Sequence, residues 1–219
     1  MGKKLSLDLL IFDLDGTLVD SMTDIVRSAN FTLHQLGWPP LPAATIQSFV
    51  GDGMRCLVQR CLERYTPVTP EMLEQALEIY FRYYDQHATD HIRLYPGVME
   101  TLLFFRHKKK VVLSNKGAYY THKILLALRL ASHFDLILGG DSLNEKKPHP
   151  RPIFYILDRL KVGRDRAMII GDSPQDIQSG KAAGIFTCGV LYGYRPAEML
   201  IGADVTIRSM LDLQHIVAC

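Results

Sequence analysis

The sequence predicts an α/β fold, a doubly wound parallel sheet with a small all-helical domain inserted after its first strand. Three observations carry that prediction. The stretch Leu7–Leu18, LDLLIFDLDGTL, is an apolar run that stops at two aspartates and a Gly-Thr turn, the pattern of a buried strand. Residues 20–92 hold apolar stripes at helical spacing and no convincing strand. From Tyr95-Pro96-Gly97 onward, short apolar runs alternate with helical segments, as strands joined by crossover helices do.

Taken in order, the first strand ends at Asp13 and Asp15. Ser21-Met22-Thr23-Asp24 has the form of a capping box, and Met22, Ile25, Val26, Ala29, Leu33 and Leu36 continue as a helical stripe to Gly37. Trp38-Pro39-Pro40 is a turn, a short helix covers about 43–49, and Gly51-Asp52-Gly53 breaks the chain again. Met54, Leu57, Val58, Cys61, Leu62 and Tyr65 form the next stripe. Thr69-Pro70-Glu71 then opens a long helix, with proline at its first position and an acid in its first turn. Beyond Gly97 the expected strands are Val111–Leu113, Phe134–Leu138, Ala167–Ile170, Phe186–Val190 and Val205–Ile207, with helices between them. The expected domains are therefore a core of residues 1–19 plus 93–219 and a helical cap of residues 20–92.

Composition narrows the function. The chain has 219 residues, 47% hydrophobic and 22% charged, which suits a folded globular protein and neither a disordered nor a membrane-spanning one. A net charge of +2 without a long basic segment argues against a nucleic-acid partner. The four cysteines, Cys56, Cys61, Cys188 and Cys219, are scattered, which fits a reducing cytoplasm better than a disulfide framework or a zinc site. No secretory signal is visible. Met1-Gly2-Lys3-Lys4-Leu5-Ser6 matches the loose N-myristoylation pattern, read here as coincidence.

The chemistry collects where strands end. Charges are expensive to bury, so Asp13 and Asp15 must face solvent, a cation or both. Ser114-Asn115 follows the VVL run, Lys146-Lys147-Pro148-His149-Pro150 lies in a loop, and Asp172-Ser173-Pro174-Gln175-Asp176 follows another strand. A parallel sheet brings all these carboxyl ends to one edge. Asp13, Asp15, Asp172 and Asp176 would repel there unless a cation joins them, and an all-oxygen carboxylate set suits a hard ion, Mg²⁺ first. Lys147 and the Ser114 hydroxyl remain to meet a second anion, so the edge reads as a phosphate site with a metal. Arg55, near Gly51 and Gly53, is a candidate for gripping a substrate carboxylate, or else a surface helix arginine. The His107–Lys110 run reads as a solvated turn at a helix end.

DLDGTL, SNK, KKPHP and GDSPQD together resemble, in order and spacing, the four motifs of the haloacid dehalogenase superfamily. The likeness spans nearly the whole chain. FVGDGM, LYPGV, GGDSLNEKKPHP and YGYR bring it closest to the superfamily's phosphoglycolate phosphatase branch. The resemblance implies a Rossmann-like core and a helical cap. It also implies Mg²⁺-dependent phosphomonoester hydrolysis through an aspartyl-phosphate on a small phosphorylated metabolite, 2-phosphoglycolate first and pyrophosphate or another small ester as alternatives. In this reading Asp13 is the nucleophile and Asp15 the acid and then the base. Mg²⁺ is held by Asp13, the Asp15 carbonyl and Asp172, with Asp176 behind them. Thr17, Ser114, Asn115 and Lys147 meet the substrate. No nucleic acid or membrane is implied, and the chain would act as a monomer or homodimer.

Other chemistries on the same plan are disfavoured by particular residues. Asp15 argues against a dehalogenase, which needs no second carboxylate. A hexose-phosphate mutase would want a histidine where Ile25 stands, and a phosphonatase would want a cap lysine, yet residues 20–92 contain none. A phospho-accepting receiver module would be much shorter and have no helical cap, and a non-catalytic phospholigand-binding relative is disfavoured because every catalytic position is present.

Overall fold

The computed structural model describes residues 4–219, so the Gly2 of the myristoylation pattern lies outside the described residues. The chain divides into two compact units, residues 1–20 with 94–219 and residues 21–93. Each boundary falls one residue later than the sequence reading placed it.

The first unit is built on a six-stranded parallel sheet. Its strands in chain order are β1 (Leu9–Phe12), β4 (Lys109–Leu113), β5 (Leu136–Leu138), β6 (Ala167–Gly171), β7 (Phe186–Val190) and β8 (Val205–Ile207). Two-residue strands β2 (Val19–Asp20) and β3 (Arg93–Leu94) mark where the chain leaves for the insertion and returns. The sheet order is β5-β4-β1-β6-β7-β8, so β1 is central, with β4 and β6 as parallel neighbours. Strands in such a position are covered on both faces and read as continuous apolar runs. Accordingly Leu9 and Ile11 pack on one face with Val111, Leu113, Ile153, Ile156 and Ile169, while Leu10 and Phe12, on the opposite face by strand alternation, are equally buried.

Helices α5 (Val98–Phe104), α6 (Ala118–Ala127), α7 (Arg151–Leu160) and α8 (Pro174–Ala183) connect the strands, and α9 (Leu213–Ile216) closes the chain. The sequence reading began β5 two residues early; a 3₁₀ turn at Ala131–His133 and Phe134-Asp135 precede it.

The second unit holds α1 (Met22–Gln35), α2 (Ala43–Phe49), α3 (Met54–Leu62) and α4 (Pro70–His87). Thr69 caps α4 through its hydroxyl, which accepts from the Met72 N–H at 3.3 Å. Leu33, Leu62, Tyr80 and Tyr84 fill the interior, with Tyr80 and Tyr84 stacked at 5.4 Å between centroids. The expected capping box at α1 does not form. Ser21 makes no side-chain cap bond, and the Asp24 carboxylate instead accepts from the His91 N–H at 2.9 Å and meets His91 Nδ1 at 2.7 Å. A carboxylate one turn into the helix finds a better donor from a distant segment than from its own first turn.

Candidate active site

The carboxyl edge of the sheet gathers the chemistry. Asp13 follows the last residue of β1 and its backbone N–H donates to Ile170 O at 2.9 Å, so the ladder with β6 fixes where its side chain starts. One carboxylate oxygen, Oδ1, accepts from the Leu14 N–H at 2.8 Å and lies 2.9 Å from Lys147 Nζ. Lys147 Nζ also donates to Asp176 Oδ1 at 2.6 Å. Lys147 is 2% exposed, a cation clamped between two carboxylates in the interior.

Asp172 and Asp176 arrive from β6 and α8. Pro174 at the first position of α8 and Asp176 two residues later make a helix start, and Asp176 Oδ2 accepts from the Ser173 N–H at 3.1 Å and its hydroxyl at 2.5 Å. Both oxygens of Asp176 are thereby engaged. Asp172 Oδ2 accepts from the Tyr194 N–H at 2.7 Å, a donor on the loop after β7. Close approach is bought with glycine: a Cβ on Gly16, whose φ is +81°, would lie 2.2 Å from Asp172 Oδ2, and one on Gly171 would lie 2.1 Å from Asp176 Cγ.

Oxygens of Asp13, Asp172 and Asp176 all lie within 4.8 Å of one another. Burial pushes the Asp13 carboxyl up to about 7, with Lys147 opposing the shift and Asp176 adding to it. Burial, then the charges of Asp13 and Asp176, push Asp172 upward as well. Lys147 goes the other way: its burial favours the neutral amine, but Asp13 and Asp176 together hold it protonated. Three acids share one lysine, so either protons or a cation must balance the remaining charge, and that set of hard oxygen donors fits Mg²⁺.

Asp15 meets a different lysine. Its Oδ2 lies 3.1 Å from Nζ of Lys116, a buried residue that sequence reading quoted within SNK and gave no role. A lysine directly after an apolar strand and two polar residues was the available signal. Ser114 is buried, and its hydroxyl accepts from the Lys116 N–H at 3.2 Å. Asn115 donates from Nδ2 to Lys147 O at 2.9 Å, tying the end of β4 to the lysine loop. Thr17 is fully buried in the turn after Asp15; its hydroxyl has no hydrogen-bond partner among the described residues, and its carbonyl accepts from the Tyr192 hydroxyl at 2.9 Å. Arg55 lies in the helical unit, exposed and paired with Glu74 at 2.6 Å.

A family profile described as haloacid dehalogenase-like hydrolase matches residues 10–190. A phosphoglycolate phosphatase of Chromobacterium violaceum is 38% identical over 206 residues, 92% of each chain. One from Neisseria gonorrhoeae is 39% identical over 199 residues, 89% of this chain and 84% of that one. A crystal structure of a predicted phosphoglycolate phosphatase from Haemophilus somnus superposes with a TM-score of 0.90 at 30% identity, over 96% of this chain and 98% of that one.

Proposed function

Because the chain belongs to the haloacid dehalogenase-like hydrolases, we propose that it is a phosphatase that transfers the phosphoryl group of a small ester to Asp13 and then to water, with 2-phosphoglycolate as substrate. The observation that carries this is the pairing of Asp13 with Lys147 at 2.9 Å beside Asp172 and Asp176, an anionic nucleophile held in place by a buried cation. The names of the curated relatives support the choice of substrate.

The two half-reactions divide between the two aspartates. A carboxylate oxygen of Asp13 attacks phosphorus, the bond to the leaving oxygen breaks with its electron pair, and that oxygen takes the Asp15 proton. Asp15, now a base, takes a proton from water as its oxygen attacks phosphorus, and the Asp13–phosphorus bond breaks to restore the carboxylate. Lys147 orients Asp13 and offsets phosphoryl charge, and the Ser114 hydroxyl meets a phosphoryl oxygen. Mg²⁺ would be held by the carboxylates of Asp13 and Asp172 and the main-chain carbonyl of Asp15, where it supplies positive charge to the phosphoryl group. Asp176, with both oxygens committed to Lys147 and Ser173, supports the lysine.

A panel of small phosphate esters and pyrophosphate, ranked by kcat/KM in Mg²⁺, tests the proposal. We expect 2-phosphoglycolate to lead and Asp13→Asn to abolish turnover. Full activity in Asp13→Asn would remove the nucleophile assignment, and a lead for pyrophosphate would remove the substrate.

A further inference from the structure

Four acids and two lysines meet at the carboxyl edge, and the lysines do not share their partners alike. Lys147 sits between Asp13 and Asp176 at 2.9 and 2.6 Å, while Lys116 reaches Asp15 at 3.1 Å. The side chain of Lys116 is 3% exposed and that of Asp15 is 12% exposed. An ammonium this deep gives up its hydration, and a facing carboxylate offsets that penalty. Its main chain is fixed on several sides: the N–H donates to the Ser114 hydroxyl, and the carbonyl accepts from the Gly140 N–H at 2.8 Å and the Thr121 hydroxyl at 3.2 Å. The stem therefore leaves a rigid strand end, and its tip comes to Asp15 Oδ2.

We propose that Lys116 is a positioning residue for proton transfer: it holds the Asp15 carboxyl by Oδ2 in the place from which it serves the leaving oxygen and then the attacking water. The proposal rests on the phosphatase reading and on Asp15 as its acid and base. Lys116 sets a positive charge against the Asp15 carboxylate at a strand end near a crowd of like charges. Nothing in this role calls for Lys116 to touch the substrate.

Leaving-group chemistry separates such a role from a merely structural one. An alkyl ester such as 2-phosphoglycolate departs as an alkoxide and needs Asp15 to protonate it, whereas p-nitrophenolate departs unaided. In single-turnover kinetics with Mg²⁺, Lys116→Met should slow release from the alkyl ester by about 10²-fold. The first burst of p-nitrophenolate from p-nitrophenyl phosphate should stay within about two-fold of wild type. Steady-state turnover of that aryl ester should still fall, because hydrolysis of the Asp13 phosphoester also needs Asp15. In an Asp15→Asn background the Lys116→Met change should add nothing, and Lys116→Arg, which keeps a cation, should recover most of the alkyl-ester rate. Equal losses on both esters, or losses that add to those of Asp15→Asn, would overturn the proposal. Lys116→Gln repeats the comparison if the methionine variant does not fold. Wild-type protein that releases phosphate from neither ester would overturn the phosphatase reading along with this one.

Discussion

Lys147 at the carboxyl edge of the sheet and Lys110 at the amino end of β4 are both buried, at 2% and 4% exposure, and they titrate in opposite directions. Lys110 Nζ donates to the carbonyls of Phe105 and Lys108 at 2.9 and 2.8 Å, and burial lowers its pKa, with Asp135 opposing. Burial also penalises the Lys147 ammonium, but two carboxylates in direct contact overturn that penalty. Depth alone does not set the charge state of a buried lysine; the sign of its neighbours does. Carbonyls satisfy an ammonium's hydrogen bonds, which is a structural service. Carboxylates make it a fixed counter-charge, which a reaction can use.

Substitution should expose that contrast. Lys147→Met strips the cation from Asp13 and Asp176, and breaking such a buried pair should cost about 3–5 kcal/mol in a denaturant melt. The same change should lower kcat by about 10²–10³-fold, as loss of one charge-stabilising donor does. Retention of both stability and rate would erase the distinction between the two lysines.

Metal binding offers a second comparison. The folded pKa of Asp13, raised to about 7, exceeds the unfolded value of about 3.9. Across that window the folded state binds more protons, so Asp13 favours folding most fully below the unfolded value. That contribution is lost as pH rises through about 7. A cation in the cluster must displace the proton. Mg²⁺ should therefore bind more tightly at pH 8 than at pH 6 and release protons as it binds, measurable by calorimetry in buffers of different ionisation enthalpy. Affinity independent of pH across that range would remove the coupling.

Lys110→Met should have the smallest effect, about 1 kcal/mol or less, with no change in kcat. Because the folded pKa of Lys110 lies below its unfolded value, the unfolded state binds more protons between the two. Lys110 thus adds a component of stability that rises with pH as it approaches the unfolded value. That alkaline rise should be smaller in the variant. A loss of turnover in Lys110→Met would mean that the amino edge, too, takes part in the reaction.

Much of the site could be read from local pattern. Asp13, Asp172 and Ser114 each follow an apolar run, and a parallel sheet collects strand ends by its topology alone. What the pattern could not supply was partnership. That Lys116 goes to Asp15 while Lys147 goes to Asp13 and Asp176 depends on where rigid strand ends aim their side chains, and no spacing rule encodes that. The Tyr194 N–H that holds Asp172 is common to every residue type but proline, so the side chain there carries no trace of the task. Ser21 and Asp24 had the spacing of a cap, and a competing donor 67 residues away from Asp24 decided otherwise. Arg55 meets Glu74 within the helical unit, a contact set by helix packing rather than by motif.

Each unit also ties off its own chain ends. In the sheet unit the Tyr95 N–H donates to Leu18 O at 3.1 Å, so the point of departure and the point of return are already stitched together. In the helical unit Asp24 and His91 make the corresponding stitch with two contacts. An insertion sealed at both seams behaves like a cassette. Recombination could exchange it whole for another insert of any length whose ends meet at the same spacing, leaving Asp13 and Asp15 where they stand.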